Sequence, residues 1–331
     1  MVSEGGERSG EFKTVRRRLD SVEVKPTEER APAQREEKPR AVPPPVPRGR
    51  DRGEIRPTSN PVAPRPIPTT EPPREDPVVF QSDTPVGDLT AGANTVVDAC
   101  GGCSEGAVMI CGNRWALYSG DGGASFADVP LGSAFDMNPS PGIRGNPAGD
   151  QVIHYIPEID RFVWVLLYYP EAGGLNAFSF ALASPSDLAA SAGRSGWYRS
   201  DVPSTFLGLG ANWMDFPDVS VTGEHLYISV CSAMGTSTNG FVVARIPLGQ
   251  LQVPGSFNCE FTNLADSNGM THGRLVQETH GQAVWAAHAD TNTLRVFAWP
   301  DGSGSYSWRD IDVQQWSGDD YVSMTPPIPA S

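Results

Sequence analysis

The chain has 331 residues, 39 acidic against 25 basic, a net charge of −14, and no apolar stretch approaching the roughly 18 residues a membrane-spanning helix needs. Its charge is uneven. Residues 1–75 hold 16 basic against 13 acidic side chains, net +3, whereas residues 76–331 hold nine arginines, no lysine and 26 acidic groups, net −17, a field that repels phosphate backbones and excludes nucleic acid as a partner of the body.

Residues 1–80 are expected to be a disordered tail. Residues 1–75 carry 14 of the 31 prolines and a single aromatic, Phe12, so they have little with which to build a core. The run from Lys38 to Pro47 favours local polyproline II. Such a segment reads as a spacer, or as a proline-rich ligand for a partner, and Arg16, Arg17 and Arg18 read as a solvated basic cluster. No basic segment leads into an apolar stretch, so no ordinary signal peptide is visible.

From residue 81 onward, apolar and polar residues alternate in short runs separated by Gly, Pro, Asn, Asp and Ser, the pattern of an all-β body. One helical turn is expected, near residues 185–190. The strands fall into groups of four. The first group is residues 95–98, 107–110, 115–118 and 126–129; the second is 150–155, 162–168, 177–182 and 197–202. The third is residues 217–221, 226–230, 241–246 and 259–264; the fourth is 274–277, 283–287, 294–298 and 306–311. Fourth strands share an aromatic, a spacer, Asp or Asn, then an aliphatic: Phe126-Ala-Asp-Val129, Phe261-Thr-Asn-Leu264 and Trp308-Arg-Asp-Ile311. Repeating four-stranded units predict a β-propeller of about four recognisable blades, with an ordinary β-sandwich as the competing reading. Residues 317–325 look like the start of a further blade, a C-terminal fragment that would leave the ring open unless a partner chain closes it.

Between the third and fourth strands of the first blade stands Ser119-Gly-Asp121-Gly-Gly123-Ala-Ser125-Phe126. Asp and Ser there can bond the turn's backbone, and the glycines allow positive φ. This stretch matches the Asp box, and through it residues 90–325 resemble the sialidase-like, Asp-box (BNR) β-propeller superfamily, near its bacterial secreted members. The resemblance implies that Ser119, Asp121, Gly123, Ser125 and Phe126 are structural, that the domain is glycan-related, and that the protein lies outside the cell or in its envelope. A sialidase also needs three convergent arginines, a Tyr–Glu nucleophile pair and an Asp acid/base. Arg245-Ile246-Pro247 supplies the family's Arg-Ile-Pro, yet at the end of a third strand, where it reads as blade packing. Only Arg274 falls on a first strand.

First strands line a propeller's channel, so the candidate ligand-binding residues are Asp150, His154, Asp215, Asp218, His272, Arg274, Asp319 and Asp320. Carboxylates there suit sugar hydroxyls or a cation such as Ca2+, and otherwise simply cap turns. Trp213, Trp285 and Trp316 offer sugar-stacking faces, or packing between blades. The five cysteines, Cys100, Cys103, Cys111, Cys231 and Cys259, lack a fourth ligand at zinc spacing and read as a disulfide or as inert thiols. The leading expectation is a non-catalytic recognition or scaffold propeller for glycan or cell-surface material; the alternatives are an exo-sialidase-type glycoside hydrolase and an inactive truncated fragment of one.

Overall fold

A computed structural model describes residues 8–24, 99–233, 240–270, 273–277 and 279–314. Three strands come from the N-terminal segment: β1 (Ser9–Lys13), β2 (Val15–Asp20) and β3 (Val22–Glu23). The first blade is β4 (Cys100–Ser104), β5 (Ala107–Gly112), β6 (Trp115–Ser119) and β7 (Ala127–Asp128). The second is β8 (Pro147–Ile156), β9 (Arg161–Tyr168), β10 (Ala177–Ala183) and β11 (Tyr198–Pro203), with α1 (Pro185–Ser191) between its last two strands. The third is β12 (Trp213–Val221), β13 (His225–Ala233), β14 (Gly240–Pro247) and β15 (Ser256–Phe261). The fourth is β16 (Arg274–Leu275), β17 (Gln282–Asp290), β18 (Thr293–Pro300) and β19 (Ser305–Asp312).

Each blade is an antiparallel meander, and the innermost strands β4, β8, β12 and β16 lie beside one another in sequence order. This is an all-β propeller arrangement. It also explains why the strands do not all alternate apolar with polar. Blade faces pack on both neighbours, so a second strand is buried on two sides. On β9, Val163, Val165 and Leu167 join the core shared with the third blade, while Phe162, Trp164, Leu166 and Tyr168 join the core shared with the first. On β13, Leu226, Ile228 and Val230 face one neighbour, and Tyr227 and Cys231 the other. Helix α1 starts where Ser184 accepts the Asp187 amide at 3.1 Å ahead of Pro185, and stops at Ala192 in the left-handed region.

The innermost described strand of the first blade is Cys100–Ser104; the strand expected at residues 95–98 lies outside the described residues. One expectation is corrected: residues 9–23 of the expected disordered tail are strands. β1 pairs with β19, β2 with β15 and β3 with β11, so the segment crosses the fourth, third and second blades in turn, adding an outer strand to each. The physical reason lies in side-chain alternation. Val15 and Leu19 pack on the core, and Arg17 between them lies over the rings of Phe206 and Phe261 at 5.6 and 5.4 Å. Phe12 packs on Tyr306 and Trp308 at 5.5 and 6.3 Å. Arg16 donates to Glu260 at 2.6 Å, and Glu260 also receives the buried Arg245. Burial pushes the Glu260 carboxyl up, but the two guanidinium groups prevail and hold it below the usual range. Residues 25–98, including the Pro-rich run, and residues 315–331, including the C-terminal blade fragment, lie outside the described residues.

Candidate functional site

In an antiparallel meander, first strands begin at the same end as the hairpin joining second to third strands. At this mouth end the first three blades converge on the start of β12. Arg114, in the β5–β6 hairpin, donates to the Tyr169 hydroxyl at 3.3 Å. Tyr169, just after β9, sets its ring 6.3 Å from that of Trp213, the first residue of β12. The indole nitrogen of Trp213 is buried with no acceptor among the described residues.

The start of β12 is fixed by Asn176, a residue with no exposed surface. Its Oδ1 accepts the Met214 amide at 3.0 Å and its Nδ2 donates to the Asn212 carbonyl at 2.9 Å. Sequence reasoning missed Asn176, because a lone Asn before an apolar run looks like any turn residue. Beyond Met214, β12 breaks register with β13 between Asp215 and Asp218. The break is a β-bulge, a device that re-aims side chains. Phe216 sits within it at φ +48° and is 42% exposed, an uncommon backbone region for a large apolar residue that costs local strain.

Across from the bulge, on β16, the Arg274 guanidinium lies 5.7 Å from the Phe216 ring centre and 4.0 Å from Asp218 Oδ2. Asp218 Oδ1 accepts the Val219 amide at 3.0 Å, and Oδ2 accepts the Leu275 amide at 3.0 Å, which ties β12 to β16. Burial raises the Asp218 pKa, against the pull of the Leu275 amide and Arg274. Asp215, in the same bulge, is buried. The bulge therefore unites three of the expected residues, Asp215, Asp218 and Arg274, and adds Phe216. Asp150 and His154 lie on the neighbouring first strand β8, both half-buried. Strand β4 closes on β8 so tightly that a Cβ at Gly102 would meet the Tyr155 nitrogen at 2.7 Å. His272, Asp319 and Asp320, and likewise Trp316, lie outside the described residues. Trp285 is buried in the core shared by the third and fourth blades, stacked on its cross-strand neighbour Phe297 at 5.3 Å.

At the opposite end, the turn from β6 to β7 is held by its own side chains. Asp121 accepts the Ser119 hydroxyl at 2.6 Å, the Ser125 hydroxyl at 2.6 Å and the Ser125 amide at 2.9 Å, while Ser119 accepts the Gly123 amide at 2.8 Å. The Ser119 and Ser125 hydrogen bonds bring the Asp121 pKa down to about 2. Gly122 and Gly123 take φ +72° and +93°. Phe126 is half-buried behind them.

The remaining arginines serve the blades. Arg144 is buried 4.0 Å over the Tyr168 ring and paired with Asp136, and Arg295 pairs with Asp310. Arg245 is buried over Trp299 at 4.2 Å. Among the described residues, Arg274 is the arginine on an innermost strand. No disulfide joins any of the five cysteines; Cys100 and Cys111 face each other across β4 and β5, whereas Cys103 points to the other side, opposite Val108.

No family model and no curated protein matches the chain. Among solved structures it is similar to a family 117 glycoside hydrolase produced by the marine bacterium Zobellia galactanivorans, with 11% identity, 67% of this chain and 70% of that chain covered, and a TM-score of 0.40. It is similar also to an exo-1,5-alpha-L-arabinanase from a bovine ruminal metagenomic library, with 12% identity, 67% and 95% coverage and a TM-score of 0.25. A third is a xylan beta-1,4-xylosidase from Bacillus halodurans, with 12% identity, 68% and 53% coverage and a TM-score of 0.23.

Proposed function

We propose that the protein is a carbohydrate-recognising propeller that binds without cleaving, its ligand seated at the mouth over the β12 bulge. The observation that carries this reading is Phe216, a large apolar side chain held exposed at positive φ, with a guanidinium over it and a carboxylate beside it. An aromatic face takes the apolar side of a sugar ring, while the half-exposed Arg274 guanidinium donates to its hydroxyls. Both Asp218 oxygens already accept backbone amides, which suits a positioning carboxylate better than a proton shuttle. The same site read as a hydrolase would draw on burial's upward push on the Asp218 carboxyl, which is the direction a general acid requires. The Ser119–Phe126 turn supports the sialidase-like type of propeller, and export to the cell surface follows from that type.

Titration calorimetry of the full chain with a panel of neutral and uronic-acid oligosaccharides tests the reading. Binding of at least one, weakened about tenfold or more by Phe216→Ala and by Arg274→Ala, is expected. Release of reducing ends from a bound oligosaccharide, abolished by Asp218→Asn, would establish the hydrolase instead. Saturable binding that survives both mouth substitutions would move the ligand elsewhere.

A further inference from the structure

Where the third and fourth blades meet at the end away from the mouth, two turns bring a second polar group together. The β12–β13 turn supplies Thr222, Glu224 and His225, and the turn after β18 supplies Asp301. Asp301 is 7% exposed. Its Oδ1 accepts the hydroxyls of Thr222 at 2.8 Å and Tyr227 at 2.9 Å and lies 3.0 Å from His225 Nδ1. Its Oδ2 is buried with no hydrogen-bond partner among the described residues. A buried carboxylate oxygen left unmet is unfavourable and calls for a partner. Ligand atoms of Glu224, His225 and Asp301 all lie within 4.8 Å of one another. A surface pocket of about 400 Å3, lined also by Glu158, Leu248 and Gln252, opens onto Glu224 and His225.

We propose that Glu224, His225 and Asp301 form a binding site for a divalent transition-metal ion of the zinc class, separate from the mouth. Tetrahedral ligands on an ion about 2.1 Å away stand about 3.4 Å apart, so His225 Nδ1 and Asp301 Oδ1, 3.0 Å apart as a hydrogen-bonded pair, need to part only slightly to take one. Two carboxylates and a neutral imidazole give a charge that a dication neutralises, and the imidazole nitrogen selects zinc-like ions over calcium or magnesium. Thr222 and Tyr227 hold the Asp301 carboxylate through Oδ1, outer-shell support that fixes its direction while Oδ2 stays unmet. The nearby guanidinium of Arg245 is already engaged by Glu260 and by the carbonyls of Pro300 and Ser303, so its charge does not compete for Asp301. Water from the pocket completes the coordination. The competing arrangement is a direct His225–Asp301 hydrogen bond with no metal.

The test uses the full chain carrying Cys100→Ser and Cys103→Ser, so that thiols do not take the metal. The protein is stripped with a chelator and dialysed against zinc chloride, and bound zinc is measured. The expected result is saturable binding of about one zinc per chain, weakened tenfold or more by His225→Ala and severalfold by Glu224→Gln. Glu224 is exposed, so its variant keeps the fold and gives a reading even where His225→Ala does not. Thermal unfolding should rise with zinc in the parent and not in His225→Ala. No saturable binding, or equal binding in the parent and both variants, overturns the site and leaves the His225–Asp301 pair as a structural contact.

Discussion

Cys100 illustrates how much of a residue's chemistry depends on its cross-strand partner. The thiol of Cys111, directly opposite, hydrogen-bonds the Cys100 sulfur and brings its pKa down to about 6, against the opposing effect of burial. Thiolate is the reactive form, so alkylation of Cys100 in a Cys103→Ser background should reach half its plateau rate near pH 6. Cys111→Ala should move that midpoint up toward the ordinary thiol value. Mass spectrometry of the iodoacetamide adduct reads both. Asp121 supplies a second pH dependence. Its folded pKa lies below its unfolded one, so its contribution is present above about pH 4 and is lost as the pH falls toward 2. The stability gap between the parent and Asp121→Asn, followed by urea denaturation, should narrow over that window and close at its acid end. Asp301 occupies the equivalent place in the fourth blade, right after a third strand, yet its carboxylate faces the neighbouring blade instead of its own turn. The sequence shows the turn there as two residues too long for the motif; it does not show where the carboxylate goes, because its partners Thr222 and Tyr227 are 79 and 74 residues away.

Blade strands were legible because each alternates or is continuously apolar at strand length, and the fourth-strand signature fixed the grouping. The expected strands of the second, third and fourth blades all fall within or beside observed ones. The outer strand β2 was not legible. Its inward-facing positions are Val15, Arg17 and Leu19, and an arginine in the middle hides the alternation that its aliphatic stem satisfies by lying on two rings. Likewise the bulge in β12 was visible only as Pro217 inside an apolar run, and nothing local foretells that Phe216 is left exposed. Asn176 belongs to this scale as well, since it connects the second blade to the start of the third. Asn176→Ala leaves the Met214 amide and the Asn212 carbonyl without partners in a buried place. It should cost about 2 kcal/mol, seen as a lower urea midpoint with an unchanged slope.

For the molecule as a whole, the N-terminal segment matters out of proportion to its size. Without β1, β2 and β3, the strands β19, β15 and β11 become open edges, each with a row of unpaired backbone groups. A chain lacking residues 1–24 should therefore unfold at lower temperature and associate through those edges, which sedimentation velocity would show as species larger than the parent. Among the described residues no helix is long and apolar enough to cross a membrane. The same segment has a consequence in time. Thr14 donates to the carbonyl of Gly304, 290 positions later in the chain. At roughly 5–20 residues per second, a ribosome needs about 15 to 60 s to travel between them. Strand β1 is thus made long before its partner β19, and through that interval an unpaired, arginine-rich segment travels with the nascent chain while the blades it will later bind are still being made.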